Sequence, residues 1–313
     1  MKIAGYSIGG IDRASSRLRS FYLFSFANEY DLNVSRPSQY RDALGCDVVH
    51  IQKIMTYQLI LWVVVYRIFG IRVVFDIDDQ PTGYKSFLGY LVVLFLSSVI
   101  TVDSDARKSY WKKYLFFKKI EVINDIADSN DINLKIKERG NSIDASSFFW
   151  IGYASNLESL DGFIEFIKKT AKYKLIVSVE KEAIASLKSR YPFITFIPWF
   201  DDVAFDDCID AKFMVLNHNF DQDSLLKSEN KMVLAILAGF VPIVSRTPSY
   251  EKLAKLLDAE FLLFDNIEDI TRIVANLAET DFHTFFEKAF DFIKKNYSRN
   301  AVLSDFNMKV LCR

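Results

Sequence analysis

At 313 residues, half of them hydrophobic and a quarter charged, the chain is long enough for two domains of ordinary size and too apolar for a disordered one. Its 39 Lys and Arg stand against 40 Asp and Glu, a net charge of −1. That balance gives no support to phosphate-driven nucleic-acid binding, and no nucleic-acid partner is expected. Cys46, Cys208 and Cys312 are scattered, without a CxxC pair, so the expectation is a reducing compartment and no disulfide framework; three histidines argue against a zinc site.

The first six residues lack the apolar stretch and cleavage site of a signal peptide. The longest apolar runs, 59–65 and 88–100, fall short of the roughly 20 residues of a spanning helix. The 28 Phe residues fit either an aromatic core or some exposed rings that touch a membrane surface.

In chain order, 2–6 reads as a strand, 7–10 as a turn and 15–30 as a helix. Strands at 47–51, 72–76, 99–102 and 120–123 then alternate with helices at 57–69, 84–96 and 104–114, Gly70 ending the first of these. Residues 125–147 turn polar and read as a linker, or else as a surface insertion. A second alternation follows, with strands at 148–153, 175–179, 194–197, 213–216, 241–244 and 260–264. Its helices are 157–173, 181–190, 231–238, 250–257, 267–279 and 282–296. The pattern is two doubly wound α/β domains with parallel sheets. The expected division is 1–140, 141–290 and a closing helix at 291–313.

Such sheets bind ligands beyond the carboxyl ends of their strands. After the first strand, Gly9, Gly10 and Asp12 form either a plain tight turn or a place where backbone N–H groups meet an anion or sugar hydroxyls. Arg17 and Arg19 cannot point the same way on a helix, so one is expected to face the cleft and the other the solvent. After the third strand, Asp76, Asp78 and Asp79 crowd three carboxylates, either as a solvated helix cap or as a functional turn that binds a metal, supplies a base or holds acceptor hydroxyls. Ser155 and Asn156 are candidates to cap the helix after them, or to contact phosphate. The sharpest feature runs from His218 to Lys227, Ser228, Asn230 and Lys231, between a strand and a helix. Cations at a helix start are unfavourable for the helix itself, so their presence suggests a bound anion such as a diphosphate. The alternative is that Ser228 is an N-cap and the lysines are solvated.

The run Lys227-Ser228-Glu229-Asn230-Lys231, with Ala235, Ala238-Gly239, Val241-Pro242-Ile243-Val244 and Pro248-Ser249-Tyr250, resembles the donor-domain signature of bacterial GT-B glycosyltransferases of the family 4-like, group 1 type. The stretches 46–53, 72–79, 99–104 and 150–156, and Tyr297-Ser298, resemble that family in the same order along the chain. Where many retaining members carry two glutamates eight positions apart, this chain has Leu226 and Leu234, so donor identity and stereochemistry stay open. The resemblance implies a GT-B architecture of two Rossmann-like domains facing a cleft. The implied function is metal-independent sugar transfer, with no cofactor beyond the nucleotide-sugar donor, to a glycan or lipid-linked glycan, in capsule or O-antigen synthesis. Lys227, Ser228, Asn230, Lys231, Ser155, Asn156 and His218 are then expected on the donor. Gly9, Gly10, Asp12, Arg17 and Asp76 are expected on the acceptor, with Asp78 or Asp79 as base. A cytoplasmic location with peripheral contact at the inner membrane completes the expectation. The alternatives are a transferase using a CMP-linked acid sugar on the same fold and a non-catalytic partner of a true transferase.

Overall fold

The structure, a computed structural model, describes residues 1–11, 13–25, 27–81, 84–127, 146–198, 210–218, 220–277 and 282–312. The chain divides into two compact units. The first holds Met1–Asn133, Leu226–Ser228 and Lys294–Arg313; the second holds Leu134–Leu225 and Glu229–Ile293. Most of the polar stretch 125–147 lies outside the described residues.

In the first unit, β1 (Lys2–Ser7), β2 (Asn33–Ser35), β3 (Val48–Gln52), β4 (Arg72–Ile77), β5 (Val99–Val102) and β6 (Ile120–Val122) form a parallel sheet in the order β2-β1-β3-β4-β5-β6. The helix expected over 15–30 is broken into α1 (Ala14–Ser16), a π-helical turn (Arg17–Phe21), α2 (Tyr22–Ser25) and a 3-10 turn (Ala27–Tyr30). The π turn buries Leu18, Arg19 and Ser20 together, as inserted π turns often do near functional sites. The short edge strand β2, lacking any long apolar run, has no counterpart in the sequence reading.

Because β3, β4, β5 and β6 advance one position at a time, right-handed crossovers put α3 (Tyr57–Ile68), α4 (Tyr84–Leu96) and α5 (Asp105–Lys112) on one face. Leu59, Val63, Val93, Leu94 and Trp111 pack there on Ile51, Phe75 and Val102. The opposite face is covered by α2 and by the last helix, whose Leu303 and Phe306 meet Phe24, Val48 and Val74. Phe24, His50 and Phe306 meet edge to face, with ring centroids 5.1–5.8 Å apart.

In the second unit, β7 (Ser147–Ile151), β8 (Lys174–Val179), β9 (Thr195–Pro198), β10 (Phe213–Leu216), β11 (Val241–Ser245) and β12 (Leu263–Phe264) form another parallel sheet, ordered β12-β11-β10-β7-β8-β9. Its helices are α6 (Asp161–Thr170), α7 (Ile184–Arg190), α8 (Gln222–Leu226), α9 (Asn230–Leu237), α10 (Pro248–Leu256), α11 (Asp269–Leu277) and α12 (His283–Tyr297). α8 ends, and α12 continues, in residues grouped with the first unit, which also holds α13 (Arg299–Phe306). The helix expected over 157–173 starts as a 3-10 segment, Ala154–Leu160, and α8 is an added short helix.

Candidate functional site

Strand register sets the first site. Ser7 pairs with Gln52, Gln52 with Asp76, Asp76 with Thr101 and Thr101 with Glu121, so one polar row crosses the carboxyl edge of the first sheet. Arg19 lies on this row, 4% exposed, and makes four hydrogen bonds. Two go to the Asp76 carboxylate at 2.6 and 2.7 Å, one to Asp125 at 2.8 Å and one to the Ile123 carbonyl at 3.0 Å. Thr101 donates to Asp76 as well, at 2.5 Å. Burial works against ionising Asp76, but Arg19 and these hydrogen bonds outweigh it and hold the carboxyl below its usual range.

This changes two expectations. Asp76 is buried and committed to Arg19 and Thr101, so it is not offered to an acceptor. Arg19 is neither solvated nor free: it is the centre of a buried ion network. Arg17 is half-buried and donates to the Ile11 carbonyl. Gly9 and Gly10 stay at the edge, where the Ser7 hydroxyl donates to the Gly9 carbonyl and the Arg13 side chain lies over Gly9. Asp12 lies outside the described residues.

Beyond Asp76 the chain bends, and Asp78 comes to lie beside Gln52 and Lys53. The Gln52 side chain accepts from the Ile8 amide and the Ser16 hydroxyl, and its amide group reaches Asp78 at 3.5 Å. Lys53 adopts a left-handed backbone, φ 58°, and its ammonium pairs with Asp78 at 3.6 Å and with Asp79. The Asp78 side chain is 10% exposed and Asp79 47%. Burial raises the Asp78 pKa, with Lys53 opposing, which poises this carboxylate to take a proton. Asp103 is lifted as well, to about 7, again by burial against the pull of Arg107, 2.6 Å away. Gln52, Lys53 and Asp103 were not candidates from sequence. The legible signal was the polar residue closing each of several adjacent strands.

The second site is built at the carboxyl edge of the other sheet. α9 starts at Asn230 with Glu229 as its N-cap, and no side chain caps it. Lys227 and Ser228 therefore precede the helix instead of forming its first turn. They belong with the first unit, where the Ser228 hydroxyl donates to Asp125 at 3.3 Å. Lys231 is on the first turn, its ammonium 3.3 Å from the Ile151 carbonyl and 5.6 Å from the Trp150 ring centroid. Asn230 Oδ1 is buried with no partner among the described residues.

His218, half-buried, stacks on Tyr250 with centroids 5.4 Å apart, and its Nε2 lies 3.2 Å from the Tyr250 hydroxyl. Burial pushes that hydroxyl well above its usual range. Ser245 receives the His218 amide at 3.1 Å and donates to the Leu216 carbonyl, fixing the turn after β10. Ser155 and Asn156 are exposed on the 3-10 segment, and neither caps it. Leu226 closes α8, and its carbonyl accepts from Ser104 at 2.6 Å. Among the described residues, no three His, Cys, Asp or Glu side chains group as metal ligands.

Two parallel six-stranded sheets with this strand order define the GT-B fold, and solved structures agree over the whole chain. An alpha-glucosyltransferase in complex with UDP-glucose and DNA containing an abasic site is 14% identical with a TM-score of 0.67, and 99% of each chain is covered. An alpha-glucosyltransferase with UDP and a 13-mer DNA containing a HMU base is 14% identical with a TM-score of 0.65, and 100% of each chain is covered. The catalytic domain of starch synthase IV from Arabidopsis thaliana, bound to ADP and acarbose, is 11% identical with a TM-score of 0.59, over 86% of this chain and 75% of that one. No protein-family profile matches the chain, and no curated protein matches it. The DNA-bound structures overturn the expectation of no nucleic-acid partner: a near-neutral net charge does not exclude one on this fold.

Proposed function

We propose that this protein is a glycosyltransferase that takes its sugar from a nucleotide-activated donor. The second edge holds the donor and the first edge the acceptor. The observation that carries this reading is Lys231: a cation fixed on the first turn of α9 by the Trp150 face and the Ile151 carbonyl, where the helix start already favours an anion. Beside it, the unpartnered Asn230 Oδ1 suits a ribose or sugar hydroxyl. UDP is the first donor nucleotide to try, because it is bound in structures of the same fold. Metal-independent transfer would leave the leaving diphosphate to be neutralised by Lys231 and backbone N–H groups.

For the acceptor, our reading is a glycan hydroxyl in surface polysaccharide synthesis, capsule or O-antigen. A second reading, favoured by the DNA-bound neighbours, is a modified base in DNA. Asp78 is the candidate base in an inverting reaction, with Lys53 and Gln52 orienting it.

The test is calorimetric titration with UDP followed by sugar-transfer assays. Lys231→Ala should weaken UDP binding about 10- to 100-fold, the loss of one hydrogen bond to a charged group. Asp78→Asn should leave UDP binding intact and lower turnover by about 10²- to 10⁴-fold, the usual worth of a general base. Unchanged UDP affinity in Lys231→Ala sinks the donor assignment, and full turnover in Asp78→Asn sinks the base.

A further inference from the structure

Two neighbouring helices of the first unit turn apolar stripes to solvent. On α3, Tyr57, Leu61, Val64 and Ile68 are exposed at helical spacing, Leu61 by 68% and Ile68 by 75%. On α4, Leu88, Val92 and Phe95 form a second stripe, Phe95 being 58% exposed. The helices run side by side, and their carboxyl ends are tied where Arg67 donates to the Ser98 hydroxyl at 2.7 Å. The turn after α5 extends the surface: the rings of Phe95 and Phe117 meet at 5.8 Å, and Phe116 stands 78% exposed beside them. Lys112 and Lys118 spend their ammonium groups on backbone carbonyls, at 2.6 Å to Lys118 and 2.9 Å to Ser97, which fixes the turn that presents both phenylalanines.

The charge carried by these segments has one sign. Residues 57–69 contain Arg67 and no carboxylate, and α4 contains none either. The stretch 112–119 carries four lysines, Lys112, Lys113, Lys118 and Lys119, and no acid, in a chain with 40 acids. Arg67, Lys113 and Lys119 are exposed. A large apolar surface rimmed by cations needs an apolar sink and negative charge together. Duplex DNA would meet the cations but leave Leu61, Ile68 and Phe95 in water. A second copy of the same face would bring the lysine clusters against each other. At 12 and 13 residues, α3 and α4 are too short to span a bilayer, and no described helix is long and apolar enough to do so.

We propose that this face is a membrane dock. α3 and α4 lie flat at the surface of a bilayer rich in anionic phospholipid, with Phe116 and Phe117 at the headgroup boundary and Arg67, Lys113 and Lys119 on the phosphates. It stands independently of the sugar-transfer reading.

The test is co-sedimentation of the full chain with vesicles of phosphatidylcholine alone and of equal phosphatidylcholine and phosphatidylglycerol. Binding should be about tenfold or more tighter to the anionic vesicles and should weaken with salt. Ile68→Glu with Phe95→Glu, and separately Lys113→Glu with Lys119→Glu, should each reduce it about tenfold or more while thermal melting stays at the wild-type temperature. The pairs substitute exposed side chains, so the second keeps the question open should the first lower stability. Absence of binding to anionic vesicles overturns the dock, as does binding that both pairs leave intact. A dimer in sedimentation velocity that Ile68→Glu with Phe95→Glu dissolves, without vesicle binding, assigns the face to a second copy and also overturns it.

Discussion

The two sheets have the same parallel architecture and the same number of strands, yet their carboxyl edges are built from different materials. The first edge is a buried lattice of charges: Arg19 on Asp76 and Asp125, Arg107 on Asp103, and Lys53 on Asp78 and Asp79. The second edge is made of rings, hydroxyls and one placed cation: Trp150 under Lys231, His218 on Tyr250, and Ser245 on the turn after β10. A charge lattice holds its groups rigidly because each member loses heavily if its partner leaves. Rings and hydroxyls fix positions by packing and keep the site open to whatever binds. The difference fits the roles proposed for them, a carboxylate held in one orientation at the first edge and an anion received at the second.

The sharpest way to break this comparison is Arg19→Met. Asp76 and Asp125 would remain, buried without their cation, at a cost of about 3–5 kcal/mol. The matching change at the second edge, Lys231→Met, touches a half-buried ammonium on a carbonyl and a ring face, outside the buried Arg19 network, and should cost less, about 1 kcal/mol. Urea unfolding of both variants decides it. Equal losses would mean that the first edge is no more dependent on its charges than the second.

A second test uses pH. In the fold Asp103 holds its proton up to about 7, because burial outweighs Arg107, whereas in the unfolded chain it releases it near 3.8. Between about 4 and 7 the folded state therefore binds more protons, and this group's contribution to stability falls as pH rises through that window. The stability of the wild type relative to Asp103→Asn should decline from about pH 4 to 7 and then level off. A flat difference across the window would show that Arg107 keeps Asp103 ionised in the fold.

The alternation of strands and helices was legible because period and turn residues are local, and so was the position of Asn230 and Lys231 at the start of a helix and of His218 just after β10. What escaped was set by partners far along the chain. Nothing near Arg19 says that it is buried; that depends on Asp76 and Asp125, 57 and 106 residues on. Asp76 read as an open carboxylate for the same reason. The π turn that breaks the 15–30 helix carries Arg19 into that network, a tertiary arrangement that helical periodicity cannot register. Lys227 and Ser228 were drawn to the helix start by sequence proximity, but Glu229 takes the N-cap position and Ser228 bonds to Asp125 instead.

Gly152 offers the finest probe of the second edge, because it acts through packing alone. A Cβ there would fall 2.5 Å from the Trp150 ring, itself 2% exposed and unable to swing aside without repacking. The same ring carries the Lys231 ammonium on its face. Gly152→Ala should therefore cost about 1–3 kcal/mol as an overpacked contact, and it should also shift Lys231. If the second edge fixes its cation by ring packing, UDP affinity should fall several-fold in Gly152→Ala even though no group that would touch the nucleotide has been removed. Unfolding and calorimetric titration on the same sample separate the two effects. A variant that loses stability but binds UDP as well as the wild type would show that Lys231 is positioned without the ring, whose role would reduce to filling space beneath it.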